Sequence, residues 1–562
     1  MSGDSTIERT VRTLADLAEI RGAAADATDL RRAAGAIAER SASAISALMQ
    51  RAQRDRLHDD PEIPPTIHRR LRELAVAGPD ASAANARAVL PALLKSLLDL
   101  GVLESEEAAM LVRQLDILTL GELVHALETG RVAETLGESL EARLRDAAPA
   151  IADNAGVMPL GRARDILDPL AALITSSTPA IDTIGPSGDA RRFESLVSDL
   201  ILVARAVDPP AAIEQICAVR RDDEILHRGP RRVVLAVQRT EVDVRVAAPD
   251  EYGTVLFSTT GARAHLQAMR TRTGHLRLET GEEALYAHGG LPYVPPELRQ
   301  GTGELEAAAA GSLPSLVSRD HIRGDLHMHT IYSDGADTVE AMVAACASLG
   351  YEYIAITDHS ERAGASRTLA RRDISRQRAE IESMRERYPH LTILHGVETD
   401  IMPDGSLDFA DRILETFDIV LASLHDSAHH DGKTLTRRCL QAIRHPLVNI
   451  VAHPANRLVG RREGYPLDFD AVFAAATETG TALEIDGAPA HLDLEGERAR
   501  EAVAAGVTVS IDSDCHRARL LARQMELGIG TARRGWVEPR HVLNTRPVSD
   551  VRAFIAAKRG SG

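Results

Sequence analysis

Gly324-Asp325-Leu326-His327-Met328-His329-Thr330-Ile331-Tyr332-Ser333-Asp334-Gly335 is the stretch on which the interpretation of this 562-residue chain turns. Its two histidines are spaced i, i+2. On an extended segment, side chains two apart project to one face, so both imidazoles can reach one ion. Asp334 follows in a Ser-Asp-Gly turn and adds a hard oxygen ligand on a loop above the strand. A His-x-His pair alone is a weak signal, and its weight comes from what lies downstream.

Apolar strand candidates at 353–357, 391–394, 419–424, 450–452, 482–485 and 507–511 alternate with helix candidates at 336–349, 376–387, 435–444, 469–478, 497–505 and 518–527. With the opening segment this makes about seven strand–helix units. Continuous apolar strands covered by helices imply a parallel sheet, and so many in series favours closure into a barrel. Metal-capable residues recur at the C-terminal ends of those strands: His359, Glu398, His425, His453, then Asp514 and His516. That mouth is where a parallel barrel carries its active site. His327, His329, Asp334, His359, Glu398, His425, His453, Asp514 and His516 supply N and O donors without a thiolate, which suits Zn, Mn or Fe(II) and more than one ion. A carboxylate such as Glu398 can bridge two cations, an arrangement suited to phosphoester hydrolysis. Arg457, Arg533 and Arg534 are candidates for bidentate contacts to a substrate phosphate.

Composition narrows the alternatives. The net charge of −17 disfavours a broad cationic surface for nucleic acid but leaves room for a local arginine-lined channel. Lys95, Lys433 and Lys558 are the only lysines. The four cysteines form no Cys-x-x-Cys pair, so neither a disulfide framework nor a zinc ribbon is indicated. No apolar run reaches membrane-spanning length and no basic-then-apolar leader opens the sequence, so a soluble cytoplasmic protein without a membrane partner is expected.

Upstream, residues 1 to about 150 carry three- and four-residue apolar spacing and read as helical, with 18 Arg plus Lys against 24 Asp plus Glu. From about Ser176, β-branched runs at 199–204, 233–237 and 241–246 indicate a small sheet. Residues 300–318 read as a linker.

The motifs GDLHMHTIYSDG, AITDHS, GVETDI, LASLHDS, VAHPANR and SIDSDCH resemble those of PHP (polymerase and histidinol phosphatase) domains. The resemblance implies a distorted (β/α)7 barrel with a trinuclear site. His327, His329, Glu398 and Asp514 would hold one metal, Glu398, His425 and His453 a second, and Asp334, His359 and His516 the third. The tail from Gly528 to Trp536 is similar to the end of bacterial family X DNA polymerases, which carry a PHP domain after a polymerase core. Upstream, Gly188-Asp189-Ala190-Arg191-Arg192 leading to Asp199, Val242-Asp243-Val244-Arg245, and Thr260-Gly261-Ala262-Arg263-Ala264-His265 resemble that family's palm and thumb motifs.

The expected architecture is therefore multi-domain: a degenerate helix-hairpin-helix-like region at 1–80, helical fingers at 81–175, an α+β nucleotidyltransferase-like palm at 176–250, a thumb and linker at 251–318, and an α/β PHP barrel at 319–562. Expected catalytic residues are Glu398, Asp514, His425 and Arg533, with Arg457 and Arg534 binding substrate. Asp199 and Asp243 would be what is left of a polymerase site, where Mg²⁺ is doubtful. Nucleotidyl transfer needs carboxylates at i, i+2 and a third from a neighbouring strand; here the middle position is Ile201, and Asp189 stands where a serine would meet the triphosphate. The expected activity is metal-dependent phosphoester hydrolysis on DNA, as a 3′-5′ exonuclease or abasic-site endonuclease in DNA repair. Small phosphate monoesters, or residual polymerisation, are the alternatives.

Overall fold

The computed structural model describes residues 3–560 other than 59, 155, 222, 223 and 366. The helical front half packs in two clusters. Gly3–Ile20, Ala24–Ala38, Ala42–Gln53 and His68–Ala77 bury Leu30, Ile37, Leu48 and Leu71 against one another. The second cluster, over 92–154, centres on Leu94, Leu97, Leu111, Leu123 and Leu144. Both are the amphipathic stripes expected from helical apolar spacing.

Next come β1 (Met158–Pro159), β2 (Ile181–Pro186), β3 (Leu196–Val197), β4 (Ile201–Ala206), β5 (Ile225–Arg228), β6 (Arg232–Val237) and β7 (Thr240–Ala247). Strands β1 and β3 form a short ladder, and the others form a sheet of order β2-β4-β7-β6-β5 in which only β4 and β7 run parallel. The expected linker is packed structure instead. Glu304 opens the helix Glu304–Ala309, is fully buried, and accepts from the N–H groups of Gly301 and Thr302 while pairing with His265. A polar, glycine-rich composition concealed that buried pair.

The C-terminal half contains β8 (Gly324–Asp325), β9 (Tyr353–Ile356), β10 (Thr392–Asp400), β11 (Ile419–Ser423), β12 (Ile450–Val451), β13 (Ala482–Asp486) and β14 (Val509–Asp512). They are parallel and adjacent in sequence order. Beyond β8 and β14 the edges meet through a parallel bridge between Met328 and Cys515, and Asn544 donates to the carbonyls of both Gly324 and Ile511. The result is a nearly closed seven-stranded barrel. Leu326, Ala355, Leu421 and Ile450 fill its interior, and Val551 and Ile555 of the last helix, Val548–Arg559, plug one end. Strand β10 runs to Asp400, so Glu398 lies on a strand rather than on the loop expected beyond 394.

The barrel and the sheet domain share a core. Val459 and Leu492, from the loops after β12 and β13, pack with Leu160, Ala163 and Val197, and a Cβ on Gly161 would meet Pro489 at 2.3 Å. Two of the loops at the barrel mouth are therefore propped by the palm-like domain.

Candidate metal centre

The register of the barrel strands builds the centre. Glu398 bridges laterally to His359, which follows β9, while β11 and β12 deliver His425 and His453 from the next positions around the barrel. The segments following β8 and β14 bring His327, His329, Asp514 and His516 across the closure. All nine expected ligands converge.

Glu398, with no exposed surface, is used from both oxygens. Its Oε2 lies 3.4 Å from His327 Nε2, 3.5 Å from His329 Nε2 and 2.6 Å from His359 Nδ1. Its Oε1 lies 3.0 Å from His453 Nε2 and 3.4 Å from His425 Nε2. Asp514 Oδ1 is 3.0 Å from His329 Nε2, and Asp334 Oδ1 is 3.1 Å from His516 Nε2. Asp334, His425 and His516 are only part-buried, so the centre opens to solvent on their side.

The donors fit divalent cations. His359 Nδ1 and Glu398 Oε2 approach closely without hydrogen-bond geometry, and Asp334 Oδ1 is likewise buried without a hydrogen-bond partner. Buried polar atoms that converge on one another's lone pairs are satisfied by a shared cation. Burial opposes ionisation of Glu398, but His359, His425 and His327 hold its carboxyl well below the usual carboxylate range. Against the same effect of burial, His516 and His359 hold Asp334 at about 2. Burial and the neighbouring His359 and His516 push His329 down to about 3, leaving it a neutral ligand.

The residues behind the ligands were not legible as such in the sequence. Glu484 Oε1 is 2.7 Å from His327 Nδ1, and Asp400 Oδ1 is 2.7 Å from His425 Nδ1. Each carboxylate fixes the tautomer that turns Nε2 inward. Asp358 organises the first loop by accepting from Thr330, Ser333 and Gln377. Two signals were available: Asp400 sits two residues from Glu398 on one strand face, and Glu484 is a charge in the middle of an otherwise apolar strand core.

Arg533 and Arg534, expected to act on the substrate, are both engaged in ion pairs. Arg533 donates to Glu297 at 2.6 Å and to the Val317 carbonyl at 3.0 Å, and Arg534 pairs with Glu194 at 2.7 Å. Both sit in the last turn of Leu521–Arg534. The end of that helix packs on the start of the α-helix before it, where a Cβ on Gly496 would meet Arg534 at 2.7 Å. Arg457 lies on the mouth loop after β12 and pairs with Glu495.

The PHP domain family matches residues 325–464. The DNA polymerase/3'-5' exonuclease PolX of Bacillus subtilis (strain 168) is 32% identical over 508 residues, 86% of this chain and 88% of its own length. The chain belongs to the PolX family. A probable phosphatase of Thermoanaerobacter sp. (strain X514) is 28% identical over 42% of this chain and 95% of its own. Among solved structures, a histidinol phosphate phosphatase from Lactococcus lactis subsp. lactis Il1403, complexed with Zn, L-histidinol and phosphate, matches at 17% identity over 38% of this chain and 93% of its own, with a TM-score of 0.30. The C-terminal half is thus a PHP-type hydrolase domain attached to a PolX polymerase core.

In the palm-like sheet the expected polymerase carboxylates stand in a different setting from a cation site. Ile201 of β4 lies directly beside Asp243 of β7 and offers no ligand. Asp243 accepts from Arg232 Nε at 2.8 Å and Arg245 Nε at 3.0 Å, and both arginines continue to Glu122 of the helical region. Asp189 is held by Arg192 and Ser198. Asp199 is left in a partly buried site where burial, Asp189 and Asp243 push its carboxyl up to about 6. Among the described residues, no helix is long and apolar enough to cross a membrane.

Proposed function

We propose that this PolX-family chain hydrolyses DNA phosphodiesters at its PHP centre, as a 3′-5′ exonuclease or abasic-site endonuclease in DNA repair, with two or three divalent cations (Zn, Mn or Fe) as cofactors. The observation carrying the proposal is Glu398 facing imidazoles from both carboxylate oxygens, the arrangement of a carboxylate shared between cations. His327, His329 and Asp514 would hold one cation, His425 and His453 a second, and Asp334, His359 and His516 a third. Bound there, such ions supply an activated water and charge neutralisation for an in-line displacement at phosphorus.

The chain's own residues set the stage. Glu398 and Asp514 stay ionised, Asp400 and Glu484 orient His425 and His327, and the open side at Asp334 and His516 admits the strand. Arg457, at the same mouth, is positioned to exchange Glu495 for a substrate phosphate. DNA is favoured because the PolX similarity extends through the helical and palm-like regions, 86% of the chain. The match of the barrel alone to a probable phosphatase favours small phosphate monoesters as the competing substrate class.

The deciding assay offers a 5′-labelled oligonucleotide and p-nitrophenyl phosphate separately, with Mn²⁺. Shortening of the oligonucleotide, abolished by His327→Ala, is expected. Intact DNA alongside cleaved monoester would move the substrate to the small-molecule class.

A further inference from the structure

Beyond the nine-residue cluster, the loop after β13 brings together residues that no part of the proposal above uses. Asp486 ends β13 beside Asp512 of β14. Its Oδ1 accepts the Ala488 N–H at 2.6 Å, while Oδ2 is buried with no hydrogen-bond partner, and the residue has no exposed surface. Five residues on, His491 stacks on His453 with ring centroids 5.2 Å apart and planes within 20°. Its Nδ1 lies 2.9 Å from the Arg457 carbonyl, which can only accept, so Nδ1 carries the proton and Nε2 keeps its lone pair. One ligand atom each of Asp486, His491 and Asp514 lies within 4.8 Å of the other two.

Among the described residues, no lysine or arginine pairs with Asp486 or Asp514. A buried carboxylate oxygen without a partner carries a desolvation cost that a counter-charge removes. The loop is also held in place. Leu492 is buried in the palm core, Pro489 abuts Gly161, and the Ala490 carbonyl accepts from Val459.

We propose that Asp486, His491 and Asp514 form a further divalent-cation position, with Asp514 shared between it and the His327–His329 site. The inference rests on the metal-centre proposal above, since Asp514 serves both. Two carboxylates and one imidazole suit a Zn, Mn or Fe(II) ion better than Mg. Three protein ligands leave coordination open, and His491 is only part-buried, so a substrate phosphate oxygen can complete the shell. The palm-like domain then has a task even without polymerisation: it fixes the loop that carries His491.

The test is crystallography of the full chain grown with Zn²⁺ and measured at the zinc edge, alongside metal analysis in solution. The expected result is an anomalous peak about 2.0–2.2 Å from Asp486, His491 and Asp514, in addition to peaks around Glu398. In His491→Gln that peak disappears while those around Glu398 persist. Bound metal falls by one equivalent per chain in both His491→Gln and the near-isosteric Asp486→Asn. Peaks around Glu398 with none at His491, or an unchanged metal content in both variants, would overturn the inference and leave the metal centre standing. No peak in either place would overturn both.

Discussion

Glu484 links two ligands of the centre: its Oε1 pairs with His327 Nδ1 and its Oε2 accepts the backbone N–H of His453, each at 2.7 Å. One carboxylate on β13 thereby fixes the tautomer of a histidine after β8 and the position of another after β12. Carboxylates behind metal-binding histidines raise ligand basicity, and their loss costs about 10–100-fold in metal affinity or activity. Glu484→Gln is expected to weaken metal binding by that factor, read by competition with a chromogenic chelator, with the circular dichroism spectrum retained. An affinity within twofold of the parent would show that His327 needs no such support.

The palm makes a sharper prediction than its sequence does. Restoring the missing carboxylate with Ile201→Asp is expected to give no primer extension with Mg²⁺ and dNTPs. Asp243 would still be bound to Arg232 and Arg245, which themselves bridge to Glu122. Extension by the single variant would mean that Mg²⁺ displaces both guanidinia.

Asp199 gives the pH dependence. Its folded-state value of about 6 lies above the ordinary 3.8 because of burial, Asp189 and Asp243. A carboxyl raised on folding is neutral in both states below its unfolded pKa, and its stability cost is complete only above the folded pKa. Asp199→Asn should therefore stabilise the palm by about 3 kcal/mol at pH 7.5 and have almost no effect near pH 3.5. Urea melts of the parent and variant at the two pH values check this. Equal stabilisation at both would place the effect in packing rather than charge.

Arg533 separates an interface from a catalytic role. Its guanidinium is bound by Glu297, whose side chain is 9% exposed, and by the Val317 carbonyl. Arg533→Ala leaves a largely buried carboxylate without its partner, a loss of about 1–3 kcal/mol of stability. The expected variant melts earlier and hydrolyses phosphoesters with unchanged kcat. A large fall in kcat at unchanged stability would return Arg533 to the active site.

Much of the centre was legible in the chain because a parallel barrel translates strand order into spatial order. Ligands at the C-terminal ends of successive strands share one rim wherever the sheet closes, so His359, Glu398, His425 and His453 could be grouped from spacing alone. The helical front half was legible for a similar reason, since its apolar spacing records which faces are buried.

What the sequence could not decide were pairings without periodicity. Arg533 and Arg534 sit close in the chain to Asp514 and His516, yet the helix Leu521–Arg534 carries them into ion pairs with Glu297 and Glu194. Glu304, in a stretch with the composition of a linker, finds His265 only through tertiary packing. Asp243 keeps the residue type of a metal ligand, and only the position of Arg232 and Arg245 around it shows that its charge is already spent. Local spacing determines which residues lie on one face or at one strand end; which carboxylate meets which cation depends on distances between segments far apart in the chain, and these exist only once the chain is folded.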